Sequence, residues 1–225
     1  MPRTTLRPGT RVTSDLQAQL DSITAQTRGL VQPERLAVTD TAVRDLHATG
    51  IEQRLLKPGE MAPSFALPDA INGRLVRSSD LLAVGPLVIT FFRGRWCPYC
   101  MTELETWQAL YPAVRESGAL LVGISPQLQR QNDFTVQRHG LTFPVLSDAG
   151  ARLAEAFGTV FAVPEPLQRH YRSILVNVPF INGDETWRLP IPATFVIGQD
   201  GRILFAEGFA DHRVRPDPEA VLAHL

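Results

Sequence analysis

The chain holds two cysteines, and both lie in one tetrapeptide, Cys97-Pro98-Tyr99-Cys100. Secreted proteins commonly spread their cysteines so that disulfides staple distant loops. None remain here for that purpose, so the pair is catalytic, metal-binding or an inert pair of small core residues. Its position favours the first. The run Pro86 to Phe92 is continuously apolar, β-branched and aromatic, which suits a strand buried on both faces. A short loop, Arg93-Gly-Arg-Trp96, follows, and a helix opens at the cysteines, with Met101, Leu104, Trp107, Tyr111 and Val114 recurring at three- and four-residue steps. Cys97 then sits at the helix cap, where free N–H groups and the helix dipole favour a thiolate. Pro98 suits the first turn. Cys100 falls on the same face and can bridge to a sulfenic acid or mixed disulfide on Cys97. A closed zinc site needs two further ligands. The five histidines, His47, His139, His170, His212 and His224, show no pair at ligand spacing.

Thiolate stabilisation alone does not make a fast peroxidase. Lowering a cysteine pKa from about 8.5 to about 6.5 raises the thiolate fraction at pH 7 roughly 25-fold. Intrinsic nucleophilicity falls roughly eightfold meanwhile, leaving a gain of about threefold. Cleaving an O–O bond also needs donors that hold the peroxide in line and stabilise the departing oxygen. Arg93, Arg95 and Arg215 are the candidate donors.

The elements that must position these groups are legible around them. Residues 1–56 carry apolar positions at helical spacing (Leu16, Leu20, Ile23; then Val43, Leu46, Ile51) separated by Pro33, and read as two amphipathic helices. They could cap the main domain or form a subunit interface, which makes a homodimer a candidate assembly. Lys57-Pro58-Gly59 marks a boundary, and residues 57–225 form the main domain. There, Ser64–Pro68 and Leu75-Val76 flank a tight turn at Asn72-Gly73, and Ser79-Asp80 starts a helix. A second buried strand spans residues 119–125, a polar helix 127–139, a third strand 143–146 and a short helix 151–157. Residues 160–190 read as an insertion with a hairpin at Asn182-Gly183, between Phe180-Ile181 and Trp187. Its aromatics, around Phe161 and Trp187, could shape a substrate pocket or a dimer contact. Residues 192–197 and 203–205 form another hairpin, and 217–225 a last helix. The expected fold is a three-layer α/β domain with a central mixed sheet flanked by helices, preceded by a helical extension.

Composition sets the outer limits. Hydrophobic residues make up 44%, charged residues 20%, and the formal net charge is -1, which is globular and gives no sign of a nucleic-acid or membrane-surface binder. There is no apolar run of about 18 residues or more to cross a membrane. The N-terminus is basic without a following apolar run, unlike a secretory signal, so a cytoplasmic protein is expected.

The segments Gly59–Leu67, Arg93–Cys100, Gly123-Ile-Ser125, Phe143–Asp148 and Pro192–Ile197 with Asp200-Gly201, in this order, resemble the thioredoxin-like superfamily, and within it peroxiredoxins of the AhpC/TSA kind that carry a Trp-Cys-Pro-Tyr-Cys motif. The resemblance covers residues 57–225. It implies Cys97 as the residue that attacks a peroxide and Cys100 as the one that resolves it, with no cofactor and a thioredoxin- or glutaredoxin-type reductant. It implies Pro192 as the superfamily's cis-proline facing the active cysteine and Arg215, with Arg213 as second choice, as the arginine that supports the peroxide; Arg93 and Trp96, from the loop before the cysteines, complete the expected substrate-binding residues. Typical members have threonine three residues before the first cysteine; here that position is Gly94. Cys-Pro-Tyr-Cys is also similar to the glutaredoxin motif, which implies disulfides as an alternative substrate.

Overall fold

The computed structural model describes residues 15–225, so most of the basic N-terminal stretch lies outside the described residues. The two expected amphipathic helices form as α1 (Leu16–Leu30) and α2 (Pro33–Ala48). Pro33 opens the second, where its missing N–H costs nothing. Strands β1 (Ala66–Pro68) and β2 (Leu75–Arg77) pair antiparallel around Asn72-Gly73, and α3 (Ser78–Leu82) follows. Next come β3 (Leu87–Phe91), α4 (Pro98–Glu116), β4 (Leu120–Ser125) and α5 (Gln129–His139). Strand β5 (Val145–Ser147) begins later than the apolar run suggests, because Pro144 has no N–H to give a ladder. Helix α6 (Arg152–Ala156) completes this half.

The insertion holds β6 (Val160–Ala162), α7 (Glu165–Ser173), α8 (Val178–Asn182) and β7 (Arg188–Pro190). Its Asn182-Gly183 pair does not turn a hairpin. Asn182 ends α8 and Gly183 stops it in the left-handed region at φ 68°, where a Cβ would also lie 2.7 Å from Leu128. Asn-Gly reads as a hairpin turn because both residues tolerate positive φ, and a helix stop uses the same tolerance at Gly183 alone. The Asn177 side chain caps the other end by accepting the Phe180 N–H. The strand pairing in this region is instead β6 with β7. Strands β8 (Ala193–Ile197) and β9 (Ile203–Gly208) form the expected hairpin, and α9 (Pro218–Leu222) is the last helix.

The central sheet has the order β5-β4-β3-β8-β9, with β3, β4 and β5 parallel and β8 antiparallel to β3 and β9. Every residue of β3 and β8 is buried, as a sheet covered on both faces requires. One face packs Val88, Leu121 and Val196 under Leu104 and Trp107 of α4. The other packs Ile89, Ile124 and Phe195 against Leu153 of α6 and Phe157. A third cluster, with Leu167, Tyr171, Val178, Trp187 and Leu189, lies inside the insertion and takes in Val38 and Ala42 of α2.

The N-terminal helices are therefore docked on both sides of the cysteine loop. Helix α1 buries Leu16 and Leu20 in the α4 cluster, and α2 packs on α7. A 15-residue helix is marginal alone in water. Two buried leucines contribute on the order of 3–6 kcal/mol as an upper figure, enough to hold α1 in place.

Candidate active site

Cys97 is the N-cap residue of α4, in an extended conformation, with Pro98 in the first turn. This is the strand-to-helix handover expected from the sequence. Both cysteines are free thiols, and they are hydrogen-bonded to each other. Burial pushes the Cys97 thiol up. Opposing it, Cys97 sulfur accepts hydrogen bonds from the Cys100 thiol and backbone N–H, and the Arg93 and Arg215 guanidiniums add positive charge. The balance lowers the Cys97 pKa to about 6. Burial raises Cys100 well above its usual value, and its place as donor to Cys97 adds to this. The pair thus divides into a thiolate and a thiol.

Two arginines hold that division. Arg93, only 3% exposed, donates from Nη2 to Tyr171 Oη. Its guanidinium lies 4.7 Å from the Trp96 ring centroid and 5.7 Å from that of Tyr171. The two rings lie side by side, 5.0 Å between centroids, along one flank of the cation, and Arg93 Nε has no partner among the described residues. Arg215, fully buried at its side chain, forms an ion pair with Glu103 and donates from Nη1 to the carbonyls of His212 and Val214 at 2.6 and 2.8 Å. Its Nη2 donates to Cys100 Sγ at 3.4 Å. Thr90 Oγ1 on β3 donates to Glu103 Oε1 at 3.1 Å. Burial raises the Glu103 carboxyl, opposed by Arg215.

Other expected residues lie differently. Arg95 turns to α5, donating to Gln131 Oε1 at 2.7 Å and lying over Phe134. Arg213 is paired with Asp211 and with Asp40 of α2. There is no cis peptide among the described residues, so the Ile191–Pro192 bond is trans. Pro192 lines a narrow cleft that shares Arg93, Tyr171 and His212 with the larger cavity at Cys97 but does not line that cavity itself. Gly94 has φ 151°, and a Cβ there would lie 2.6 Å from Trp96 Nε1. The Trp96 indole fills the space that a threonine side chain would need, which accounts for the departure at this position.

Cys97 opens on a cavity of about 240 Å3 walled by Arg93, Trp96, Tyr171 and His212 and lined toward its mouth by residues of α1 and α2. His212 stacks edge-on against Tyr99; burial, then Arg93 and Arg215, hold its pKa well below the usual imidazole range. Tyr99 Oη also meets Thr24 Oγ1 of α1 at 3.2 Å. Sequence reasoning missed Glu103, Tyr171 and His212. Glu103 had a signal: a carboxylate between Cys100 and Trp107 at helical spacing on the apolar face. Tyr171 had none, because the insertion brings it in from 78 positions away. Among the described residues no three or more His, Cys, Asp or Glu cluster to hold a metal ion, and no helix is long and apolar enough to cross a membrane.

The AhpC/TSA family model matches residues 58–206. The chain belongs to the AhpC/TSA family. As in other AhpC/TSA proteins the fold is thioredoxin-like, and the matched span holds Arg93, Cys97, Cys100, Glu103 and Tyr171 but neither α1, α2 nor Arg215. The chain is 31% identical over 110 residues to the thiol-disulfide oxidoreductase ResA of Halalkalibacterium halodurans, covering 48% of this chain and 60% of that protein, less than two thirds of its length. It is 29% identical over 152 residues to a putative peroxiredoxin of Mycobacterium tuberculosis, covering 68% and 85% of the two chains. The crystal structure of the peroxidoxin BcpB of Mycobacterium tuberculosis superposes with a TM-score of 0.59 at 25% identity, covering 75% of this chain and 96% of that one. These relatives are named as redox proteins of two kinds, peroxiredoxins and thiol-disulfide oxidoreductases, which supports a redox function.

Proposed function

We propose that this protein is a thiol-dependent peroxide reductase. The observation that carries this reading is Cys97, acidified to about 6, sharing a cavity with a buried guanidinium whose Nε is unpartnered among the described residues. The Cys97 thiolate attacks the terminal oxygen of ROOH. An S–O bond forms, the O–O bond breaks, and the alkoxide leaves as ROH after taking a proton. Arg93 donates to the peroxide and to the charge that develops on the leaving oxygen. The sulfenic acid then condenses with the Cys100 thiol: an S–S bond forms and water departs. A thioredoxin- or glutaredoxin-type dithiol reduces the disulfide by exchange. Peroxide titration with mass readout tests this. Wild type should form an intramolecular disulfide at one equivalent, Cys100→Ser should stop at the sulfenic acid, and Cys97→Ser should not react. A stopped-flow rate no faster than free cysteine at matched pH would remove the reading.

The similarity to ResA and the Cys-Pro-Tyr-Cys spacing favour a second reading, thiol–disulfide exchange through the same pair. Turnover of a model disulfide without a peroxide rate would select it.

A further inference from the structure

Hydrogen peroxide needs little of the cavity at Cys97. A cavity of roughly 10–15 Å3 holds one water, and this one measures about 240 Å3. Its inner end is Cys97, 2% exposed. Between the two ends its walls are apolar and aromatic, from Val31, Leu36, Trp96 and Tyr171, with the exposed Ile174 at the rim. Its outer end carries Arg28 of α1 and Arg35 of α2, both exposed. Two further arginines line it, Arg93 and Arg213, against one carboxylate, Asp40, which is already bound to Arg213. Neither Arg28 nor Arg35 has a carboxylate partner among the described residues. The chain as a whole has a formal net charge of -1, so this is a local concentration of positive charge. Arg35 also stands in the first turn of α2, whose N-cap residue Gln32 makes no side-chain capping hydrogen bond. A cation there opposes the helix dipole, although Glu34 stands in the same turn, while Arg28 in the last turn of α1 is where the dipole favours a cation.

We infer that the preferred oxidant is an amphipathic organic hydroperoxide bearing a carboxylate remote from its peroxide group. The hydroperoxide enters toward Cys97, the apolar body lies against Trp96 and Tyr171, and the carboxylate meets Arg28 and Arg35. The inference rests on the peroxidase reading and assigns the N-terminal helices, which lie outside the family match, to substrate selection. The S–O, O–O and S–S changes are those given above.

The test compares para-carboxycumene hydroperoxide with its methyl ester, and with hydrogen peroxide, by stopped flow at low and high salt. The acid should exceed the ester about tenfold in kcat/KM at low salt, and the ratio should fall toward one as salt screens the exposed arginines. Arg28→Gln with Arg35→Gln should bring the acid-to-ester ratio to about one. Arg44→Gln, on α2 but not lining the cavity, should leave the ratio unchanged. Equal reaction of acid and ester in wild type, or a ratio that survives the double substitution, overturns the inference while leaving the peroxidase reading standing. Loss confined to re-reduction by a carboxylate-bearing thiol also overturns it and assigns the arginines to the electron donor. Reaction with none of the three peroxides removes the parent reading and this one together.

Discussion

Arg215 does two separable jobs, and a pair of substitutions should pull them apart. In Arg215→Met the Glu103 carboxylate stays buried without its cation, which costs about 3–5 kcal/mol. For a chain of this size that lowers Tm by about 6–20 °C. The same substitution removes a guanidinium 3.4 Å from Cys100 Sγ, a charge that also lowers the Cys97 pKa. At an effective dielectric of about 20, two unit charges at that separation interact by about 5 kcal/mol; this is a ceiling, because the ionised sulfur is Cys97 and Cys100 stands between it and Arg215 as a neutral thiol. Delocalisation over the guanidinium and partial neutralisation by Glu103 reduce the share that reaches Cys97. One to two units is therefore the expected upward shift, at about 1.4 kcal/mol per unit. Adding Glu103→Leu removes the stranded carboxylate and should restore most of the stability, since apolar replacement of a buried pair is often neutral or better. It should not restore the acidity, because the positive charge of Arg215 that favours the Cys97 thiolate is still missing. Thermal unfolding reads the first quantity, and thiolate absorbance against pH reads the second. If the double variant regains stability and a midpoint near 6 together, the acidity follows from packing, and the electrostatic account of Arg215 is wrong.

Three further outcomes follow from the same geometry. The peroxide rate of reduced protein should rise with pH through a midpoint near 6 and level off above it, because the lowered Cys97 pKa makes the thiolate the reactive form; a midpoint near 8.5 in stopped-flow data would contradict this. Tyr171→Phe removes the acceptor of the buried Arg93 and should cost about 1–3 kcal/mol in stability, together with roughly tenfold in peroxide rate; unchanged kinetics would show that Arg93 is held by stacking on Trp96 alone. Gly94→Thr drives a side chain into the Trp96 indole at a positive φ, so unfolding should show a loss of about 1–3 kcal/mol rather than a gain in activity.

The strands β3 and β8 were readable because burial on both faces leaves an uninterrupted apolar run, and α4 because its core face repeats at helical spacing. The hairpin expected at Asn182-Gly183 failed because positive φ is shared by turns and helix stops, and here Gly183 ends a helix that Asn177 opens with a side-chain cap. Pro192 was expected as a cis-proline facing the cysteine; the bond is trans and the residue lines the adjoining cleft.

Local order in the chain determined which thiol is acidified. A strand delivering Cys97 to the cap of a helix is a matter of neighbours in sequence, and so is the position of Cys100 one turn on. What surrounds that thiol was decided in three dimensions. Arg215 reaches Cys100 across 115 positions, Tyr171 reaches Arg93 across 78, and α1 and α2 line the cavity from the far end of the chain. Such contacts have no sequence period. Isolated arginines read as solvated surface charge until folding buries them beside a sulfur, where low dielectric makes each charge count.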